Sequence, residues 1–375
     1  GETVNQQVKR FMRTVILISL SALVFLTHSQ CRQAEKKCEA QILGIYGSPA
    51  PLWEKGHRLD SLSVNAVFLN WHSINDSMLV PTRSEGAKVF AEFPLLIGKG
   101  YVENHPEAWA VDDHGLKVEP ATWFMGVCPT DTAFREYRTA ELHNLLNRFD
   151  LDGIWLDYLH WHAQFEDPEP ILPETCFCDR CITLFGKEMA VEVPQGDTPA
   201  RASWILSSAD SLWREWRCRV IAGWVKEMKA IVKGHDPGML LGIYHCPWND
   251  NEFDGAQRRI LGLDYDMLRG VTDVFSPMVY HARMGRTPQW VGENTAWLCN
   301  RLGIKEGEYP MVWTIVQAYD EPYTVTPEEF SQVLHLGATE CSSGVMMFTS
   351  RAVAQNDDKI ATMSKVYGSM KQTTR

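Results

Sequence analysis

The feature that most constrains the fold of this 375-residue chain is a rhythm that begins near residue 41 and continues to about residue 350. Short runs rich in β-branched and aromatic residues alternate with polar loops and with longer stretches of helical character. This alternation predicts parallel strands joined by helices. The predicted strands are residues 41–47, 64–71, 88–93, 153–158, 240–245, 273–280, 311–319 and 344–349, and the clearest helical stretches are 132–148, 202–233, 288–302 and 327–337.

Eight such units predict a single-domain (β/α)8 barrel over residues 32–375. The alternative is an open, doubly wound sheet with a phosphate-binding turn after its first strand. The segment Gly44-Ile-Tyr-Gly47 lacks the Gly-x-Gly-x-x-Gly spacing of such a turn, which favours the barrel. In a barrel the loops that follow the strands meet at one rim, so residues at the C-terminal ends of the strands are the candidates for function.

The first 31 residues have the pattern of an export signal. Arg13 precedes an apolar run over residues 15–26, which is shorter than the roughly 20 residues needed to cross a bilayer but suits the core of a signal peptide. Cys31 follows in a segment similar to a bacterial lipoprotein box. We therefore expect an exported protein, periplasmic, extracellular or at the outer membrane, with either lipidation at Cys31 or simple cleavage after Ser29.

Composition excludes several classes of protein. Hydrophobic residues make up 45% of the chain and charged residues 22%, as in globular domains and unlike disordered or fibrous chains. The formal net charge of -11 repels phosphate backbones, so no nucleic-acid partner is expected. The chain is rich in aromatic residues, with 14 Trp, 11 Tyr and 15 Phe, and we expect these rings in the hydrophobic core or in a ligand-binding site.

The segment of residues 150–161 places a candidate functional group on the fourth strand. Because side chains alternate along a strand, Ile154 and Leu156 share one face. Trp155 and Asp157 share the other face, and Asp157 points into the barrel mouth if the aliphatic pair packs on the outer helices. Burying a carboxylate is costly, so Asp157 is either functional or a structural acid hydrogen-bonded to neighbouring strands. We take the functional alternative.

The same segment is part of a set of motifs that carries a family resemblance. The motifs are CPTDTAFREY at 128–137, the DGIxxDY-type strand within 149–161, CFCDRC at 176–181, DVFSPMVY at 273–280 and VQA at 316–318. Together they resemble a group of bacterial glycoside hydrolases with TIM-barrel catalytic domains, over most of residues 64–350. The resemblance implies a barrel with glycosidase activity and a catalytic carboxylate at Asp157, but it does not transfer a substrate.

Glycoside cleavage needs two carboxyl groups, one that protonates the leaving oxygen and one that acts as nucleophile or activates water. Glu92 ends the third strand, beside the fourth, and Asp320 follows the seventh strand across the mouth. We predict Asp157 as nucleophile or base and Glu92 or Asp320 as proton donor. Other acids follow the fifth and seventh strands and are either further candidates or solvated loop residues, namely Asp250, Glu252, Asp254 and Glu321.

Aromatic and polar residues gather where the predicted strands end. Sugars have apolar faces and a rim of hydroxyl groups, so their sites combine flat rings with a few hydrogen-bonding groups. Tryptophans in helical stretches are expected instead to pack against the barrel. The predicted substrate-binding residues are Trp71, His72, His160, Trp161, Tyr244, His245, Trp248, Tyr280, Gln317 and Arg351.

Histidines at the same rim leave a metal-dependent hydrolase as a rival hypothesis. The possible ligands are His72, His160, His162, His245 and His281. The chain has no His-x-His on an early strand and no His-Glu-x-x-His helix, which weakens this hypothesis. Lone histidines more often hydrogen-bond to substrate or backbone than bind metal.

Cysteines form one compact motif among the ten in the chain. Cys176, Cys178 and Cys181 could hold a structural zinc ion if Cys128, Cys218 or a histidine such as His162 supplied the fourth ligand. Disulfide formation and simple packing are the alternatives. In each case the trio would shape the rim beside Asp157.

The sequence therefore predicts an exported glycoside hydrolase that cleaves an oligo- or polysaccharide by acid–base chemistry without a cofactor. The carbohydrate is the expected partner, and a membrane contact is expected only through a lipid on Cys31. The alternative is a non-catalytic carbohydrate-binding lipoprotein on the same scaffold, in which Asp157 receives sugar hydroxyls without cleaving a glycan.

Overall fold

A computed structural model describes residues 41–305 and 307–373 of the chain. The predicted export signal, including Cys31, lies outside these residues. Eight parallel strands form a closed barrel in sequence order, which confirms the predicted (β/α)8 fold. The strands are β1 (Ile42–Tyr46), β2 (Ala66–Asn70), β3 (Lys88–Pro94), β4 (Gly153–Asp157), β5 (Leu240–His245), β6 (Val274–Val279), β7 (Met311–Gln317) and β8 (Ser342–Phe348).

Helices follow the strands around the outside of the barrel. They are α1 (Ala50–Glu54), α2 (Asp76–Ser84), α3 (Lys99–Asn104), α4 (Thr132–Arg148), α5 (Asp179–Met189), α6 (Thr198–Ser208), α7 (Asp210–His235), α8 (Ala256–Arg259), α9 (Tyr265–Arg269), α10 (Gln289–Leu302), α11 (Pro327–Gly337), α12 (Ser350–Ala354) and α13 (Asp357–Thr373). Within the described ranges, no helix has both the length and the apolar character needed to cross a bilayer.

The predicted strand boundaries lie within two residues of the observed ones, whereas one predicted helix was wrong. The stretch 202–233 is two helices, α6 and α7, and the chain leaves the helical region at Ala209, where φ is -136°. The break lies in Ser207-Ser208-Ala209-Asp210-Ser211, a cluster of Ser and Asp residues typical of a helix boundary, and the predicted helix ran through it. In contrast, α4 begins where predicted because the Asp131 side chain accepts a hydrogen bond from the Phe134 N–H at 2.8 Å.

A plug of aromatic rings fills the middle of the barrel. Trp155 and Trp313 stack with ring centroids 5.2 Å apart, and Phe68 and Phe90 stack at 4.8 Å beside them. The barrel accommodates Trp155 because Gly242 faces it: a Cβ at that position would lie 2.1 Å from the indole. The plug closes the barrel from below, so a ligand can enter only from the end where the strands terminate.

The register confirms that Asp157 lies on the inner face. Trp155, two residues earlier on β4, belongs to the plug, whereas Ile154 and Leu156 are buried with their side chains on the opposite, helix-facing side. Elsewhere, a disulfide joins Cys299 of α10 to Cys341, the residue before β8.

Candidate active site

A cavity of about 420 Å³ opens above the aromatic plug, at the C-terminal ends of the strands. Its charged groups are Asp157, Glu166, Arg283 and Glu321. Aromatic rings form most of the remaining wall, namely Tyr46, Trp123, Tyr158, Tyr244, Tyr280, Tyr319 and Phe348. Carboxyl groups among flat rings are the combination expected of a site for a sugar.

Asp157 lies at the inner end of the cavity, on the last residue of β4. Its Oδ1 accepts a hydrogen bond from the Tyr158 N–H at 2.8 Å. Burial raises the pKa of Asp157 well above its usual range, and the negative charge of Glu92 raises it further. Asp157 therefore binds its proton more tightly than an exposed aspartate does, because it is buried and lies near Glu92.

Tyr158 adopts a left-handed backbone conformation, with φ of 51°. Such a conformation is strained for a bulky residue and persists only where neighbouring groups hold it. Two backbone hydrogen bonds do so, from Leu95 N–H to the Asp157 carbonyl at 2.8 Å and from Leu96 N–H to the Tyr158 carbonyl at 3.0 Å. Successive residues of a strand face opposite ways, but this turn brings both Asp157 and Tyr158 to the cavity wall.

Glu92 lies on β3, next to β4, and is 3% exposed. Its Oε2 accepts hydrogen bonds from the Tyr46 hydroxyl at 2.9 Å and from the Asn70 amide at 2.7 Å. Burial raises the pKa of Glu92, and these two donors oppose the rise. Tyr46 lines the cavity whereas Glu92 does not, so Glu92 acts on the site through its charge and through Tyr46.

Glu166, which the sequence prediction did not include, lines the cavity from the long loop between β4 and α5. Burial raises its pKa to about 7, although the nearby guanidinium of Arg283 opposes the rise. The Arg283 Nε lies 3.5 Å from the Glu166 Oε2. A carboxyl group with this pKa is about half protonated near pH 7, and a general acid has to carry its proton before the reaction.

Gln317 fixes the loops that surround Arg283. Its side-chain oxygen accepts a hydrogen bond from the Arg283 backbone N–H at 3.0 Å. Its amide nitrogen donates to the carbonyls of Tyr319 at 3.1 Å and Glu321 at 2.6 Å. Gln317 was predicted to bind substrate, but it is fully buried and lies outside the cavity lining, so it positions loop residues that line the cavity.

Asp320 also differs from its predicted place. It forms an ion pair with the fully buried Lys359 of α13 at 2.7 Å and accepts a hydrogen bond from the Val325 N–H at 2.9 Å. The neighbouring Glu321 lines the cavity instead. The acids after β5 are paired with arginines outside the cavity lining: Asp250 with Arg301, Glu252 with Arg286 and Asp254 with Arg259.

Two of the predicted binding residues, Tyr244 and Tyr280, line the cavity. A third, His160, lines a small side pocket that opens beside Asp157. The other walls of this side pocket include Trp123, Phe124, Tyr158, Gln164, Phe165 and Glu166. The His160 Nδ1–H donates to the Trp161 carbonyl at 2.8 Å, and burial lowers the His160 pKa to about 4, so its ring is neutral.

Six of the other predicted binding residues lie away from both spaces. His245 follows the inward-facing Tyr244 on β5 and therefore points outward, where it contacts Tyr265 and Phe275. Trp161 packs against Trp216. Trp71 packs on Phe93, and Trp248 contacts Phe165 and Phe253. The last two, His72 and Arg351, are exposed.

The predicted histidines do not converge on a cation. His162 accepts from the Gly126 N–H at 3.0 Å and contacts the Glu119 carbonyl at 3.0 Å, and His281 is paired with Glu329 at 2.7 Å. In the part of the chain that the structure describes, the one cluster with metal-ligand geometry consists of cysteines. These contacts remove the support for a histidine-bound catalytic metal at the rim.

Four cysteines meet at one point outside the cavity lining. Cys128, four residues before α4, joins Cys176, Cys178 and Cys181, and the four sulfur atoms all lie within 4.8 Å of one another. The Cys128 Sγ lies 3.4 Å from that of Cys181 and 3.9 Å from that of Cys178. Four thiolates at 2.3 Å from one tetrahedral zinc ion would be about 3.8 Å apart, so the donor set suits zinc.

No protein-family profile matches the chain, and no curated protein sequence matches it. Solved structures do share its fold. The glycoside hydrolase domain of PgaB (BpsB) from Bordetella bronchiseptica superposes with a TM-score of 0.62 at 13% identity, over 86% of this chain and 98% of that one.

Two further solved structures have the same barrel. The β-galactosidase from the psychrophilic Marinomonas ef1 gives a TM-score of 0.63 at 12% identity, over 88% of this chain and 59% of that one. The catalytic domain of β-amylase from Paenibacillus polymyxa gives 0.57 at 11% identity, over 88% and 97%. At these identities the likeness establishes a TIM-barrel fold shared with glycoside hydrolases, and the activity of this chain has to be argued from its own site.

Proposed function

We propose that the protein is a glycoside hydrolase in which Asp157 and Glu166 are the two catalytic carboxyl groups. One observation carries the proposal: two acids with raised pKa values border a single ring-walled cavity at the end of the barrel where TIM-barrel enzymes have their active sites. The shared fold of solved glycoside hydrolases supports it. Glu166 takes the place of Glu92 and Asp320 as proton donor.

In the proposed mechanism Glu166 protonates the leaving oxygen as the glycosidic C–O bond breaks. Its pKa of about 7 matches this task, since a neutral carboxyl group close to its pKa gives up its proton readily. The proton passes to the released alcohol, and Glu166 is left as a carboxylate. Arg283, at 3.5 Å, stabilises that negative charge.

Asp157 acts in its ionised form at the anomeric carbon, either by attacking it or by removing a proton from the attacking water, and because its pKa is raised, the fraction of Asp157 that is ionised depends on pH. The Tyr158 N–H bond to its Oδ1 stabilises the ionised form. Positive charge that develops on the sugar ring in the transition state is attracted to the same group. Because Glu92 is buried nearby, its own protonation state controls how readily Asp157 ionises.

The electrostatics of the cavity restrict the sugar. Three carboxyl groups line it, Asp157, Glu166 and Glu321, and its one lining cation, Arg283, is already near Glu166 and Asp167. A uronate or another anionic sugar would be repelled by those of the three carboxyl groups that are ionised. We propose a neutral or cationic oligo- or polysaccharide as substrate.

The test is the release of reducing ends from a broad panel of neutral and amino-sugar glycans. Wild-type protein should cleave at least one glycan, and Asp157→Asn should abolish the cleavage while sugar affinity changes little. If the wild type binds a glycan but releases no reducing ends, the proposal of catalysis fails and the protein is a carbohydrate-binding protein on the same scaffold.

We also propose that Cys128, Cys176, Cys178 and Cys181 hold one structural zinc ion. Cys128 supplies the fourth ligand that the sequence left open. When bound, zinc would cross-link the loop before α4 to the loop before α5 and to the first turn of α5. The same region of the chain carries cavity residues, because Trp123 precedes Cys128 by five residues and Glu166 precedes Cys176 by ten.

Export remains a proposal that rests on the N-terminal pattern of residues 1–31. The Cys299–Cys341 disulfide supports it, because disulfides persist mainly in oxidising compartments outside the cytosol. Mass spectrometry of the mature protein from its native cell would test it: cleavage after Ser29 or a diacylated Cys31 is expected, and an intact N-terminus in a cytosolic fraction would contradict it.

A further inference from the structure

Gln164 is the most buried polar residue of the side pocket, with 2% of its surface exposed. It lies in a short hairpin, where its backbone exchanges two hydrogen bonds of 2.9 Å with Ile171. Its Nε2 donates to the Asp167 Oδ2 at 2.7 Å. Because a carboxylate only accepts hydrogen bonds, this contact fixes which end of the amide is nitrogen and which is oxygen.

The amide oxygen of Gln164 is buried and can accept a hydrogen bond, but it receives none from the described residues. A buried acceptor without a partner is unfavourable, and a donor that enters the pocket relieves this cost. The rest of the wall combines apolar neighbours such as Phe124 and Phe165 with Asp157, Tyr158, His160 and Glu166. The proposed mechanism assigns the two acids to the glycosidic bond, which leaves the Gln164 oxygen as the unpaired acceptor for a further donor.

The free space in the side pocket is about 10 Å³, which is room for one group the size of a water molecule. A sugar hydroxyl has this size and is a donor. Asp157 and Glu166 border both the cavity and the side pocket, so a sugar ring held between the two acids lies next to the pocket.

We propose that the side pocket is a specificity pocket that receives one hydroxyl group of the sugar, which donates a hydrogen bond to the Gln164 oxygen. The inference rests on the proposed hydrolase function and extends it to substrate choice. The sugar must carry a free hydroxyl at the position that faces the pocket. A deoxy sugar leaves the acceptor unpaired, and an O-acylated or O-linked sugar is too large at that position.

The test is a thermodynamic cycle that combines one protein substitution, Gln164→Leu, with the removal of one hydroxyl group from the substrate. The parent substrate is the p-nitrophenyl hexoside that the wild type cleaves fastest, and it is compared with its 2-, 3-, 4- and 6-deoxy analogues. For one analogue, kcat/KM of the wild type should fall by roughly 10- to 100-fold, and Gln164→Leu should cost the same factor on the parent but little on that analogue. Ratios within the cycle cancel the intrinsic reactivity of each analogue.

Gln257→Leu is the matched control. Gln257 is equally buried at 2% and its side-chain oxygen also lacks a partner, but it lies outside both spaces. It should affect all five substrates alike. If Gln164→Leu does not fold, as judged by its melting temperature, Gln164→Met keeps the length of the side chain without the acceptor.

Two outcomes separate this inference from the proposed function. If the wild type cleaves the hexoside but no analogue couples to Gln164, the specificity pocket is wrong and the hydrolase proposal stands. If the wild type cleaves no hexoside, the same cycle is measured by calorimetry as dissociation constants of the free hexose and its deoxy forms: coupling to Gln164 would keep the pocket and reject catalysis, and an absence of sugar binding would overturn both.

Discussion

The guanidinium of Arg283 lies 3.5 Å from the carboxyl group of Glu166, yet the pKa of Glu166 is raised to about 7. A cation at this distance lowers a carboxyl pKa, and loss of hydration raises it. Burial is the larger effect here because 18% of the Glu166 side chain is exposed and Arg283 is shared with Asp167 at 3.1 Å. In the proposed mechanism the pair would provide an acid that is partly protonated near pH 7 and a cation that stabilises the carboxylate after proton transfer.

The first prediction concerns pH. If Glu166 is the proton donor, kcat/KM should fall as the pH rises through about 7, because the acid is lost above its pKa. Arg283→Gln removes the group that lowers the Glu166 pKa, so the alkaline limb should move to higher pH. A profile measured with an aryl glycoside tests both, and a limb that stays in place in Arg283→Gln would contradict the assignment.

Glu166→Gln should separate the two catalytic roles. We expect a loss of about 10²- to 10⁴-fold on glycosides with poor leaving groups. A 2,4-dinitrophenyl glycoside needs no protonation of its leaving group and should retain most of its rate of bond cleavage. The opposite pattern, with activity kept on this substrate by Asp157→Asn, would exchange the roles of the two acids.

Asp157→Asn should stabilise the protein while removing its activity. The folded-state pKa of Asp157 is raised, so ionising the group costs stability above its ordinary pKa, and this cost grows as the pH rises toward the folded value. The melting temperature of the variant should exceed that of the wild type by about 2–4 °C at pH 8, with a smaller difference at pH 4. Scanning calorimetry at both pH values measures it, and a variant that melts below the wild type at pH 8 would refute the argument.

Glu92→Gln should shift the acidic limb of the pH profile. Removing the buried charge of Glu92 lowers the pKa of Asp157, so Asp157 ionises at lower pH and the limb moves in the same direction. The rate at the optimum should change by less than about tenfold, because Glu92 does not line the cavity. Glu85→Gln is the control: this glutamate is 9% exposed and accepts from Trp53 and Leu59 on the outside of the barrel, so the limb should not move.

The sequence located the strands and Asp157 because both follow from period-two alternation. The same rule would have excluded His245, since Tyr244 before it faces inward. Glu166 was missed because it lies nine residues beyond the end of β4 in a loop whose path depends on tertiary contacts, such as the Gln164–Ile171 pair. No local periodicity carries that information.

The misplacement of Asp320 has a related cause. Its position after β7 suggested that it lines the cavity. Instead, the buried ammonium group of Lys359, 39 residues later in α13, forms an ion pair with the Asp320 carboxylate. A buried lysine is costly unless it is paired, and such a partner cannot be read from spacing alone. The cysteine cluster also depends on the fold. Cys128 was one of three candidates for the fourth ligand, and because it is 48 residues from Cys176, only the fold brings the two together.

Metal analysis should find one zinc ion per chain. Cys128→Ser and Cys181→Ser should each release it and lower the melting temperature, because structural zinc contributes directly to folding. Cys218→Ser is the matched control, since Cys218 is a buried free cysteine outside the cluster, and it should keep the metal. Metal-free protein with full stability, or disulfides among the four cysteines in mass spectra, would contradict zinc binding.

Trp123 should bind a sugar beyond the one that is cleaved. Its side chain lines the cavity but the residue is 43% exposed, and the Arg283 guanidinium lies 5.0 Å from its ring and supports it. Trp123→Ala should raise KM for an oligosaccharide by about tenfold, the loss of one stacking contact, and should leave KM for a p-nitrophenyl monosaccharide nearly unchanged. Tyr137→Ala is the control, because Tyr137 is 45% exposed but lies on α4 outside the cavity. Equal effects of Trp123→Ala on both substrates would show that Trp123 contacts the cleaved sugar itself, and no effect on either would remove it from the site.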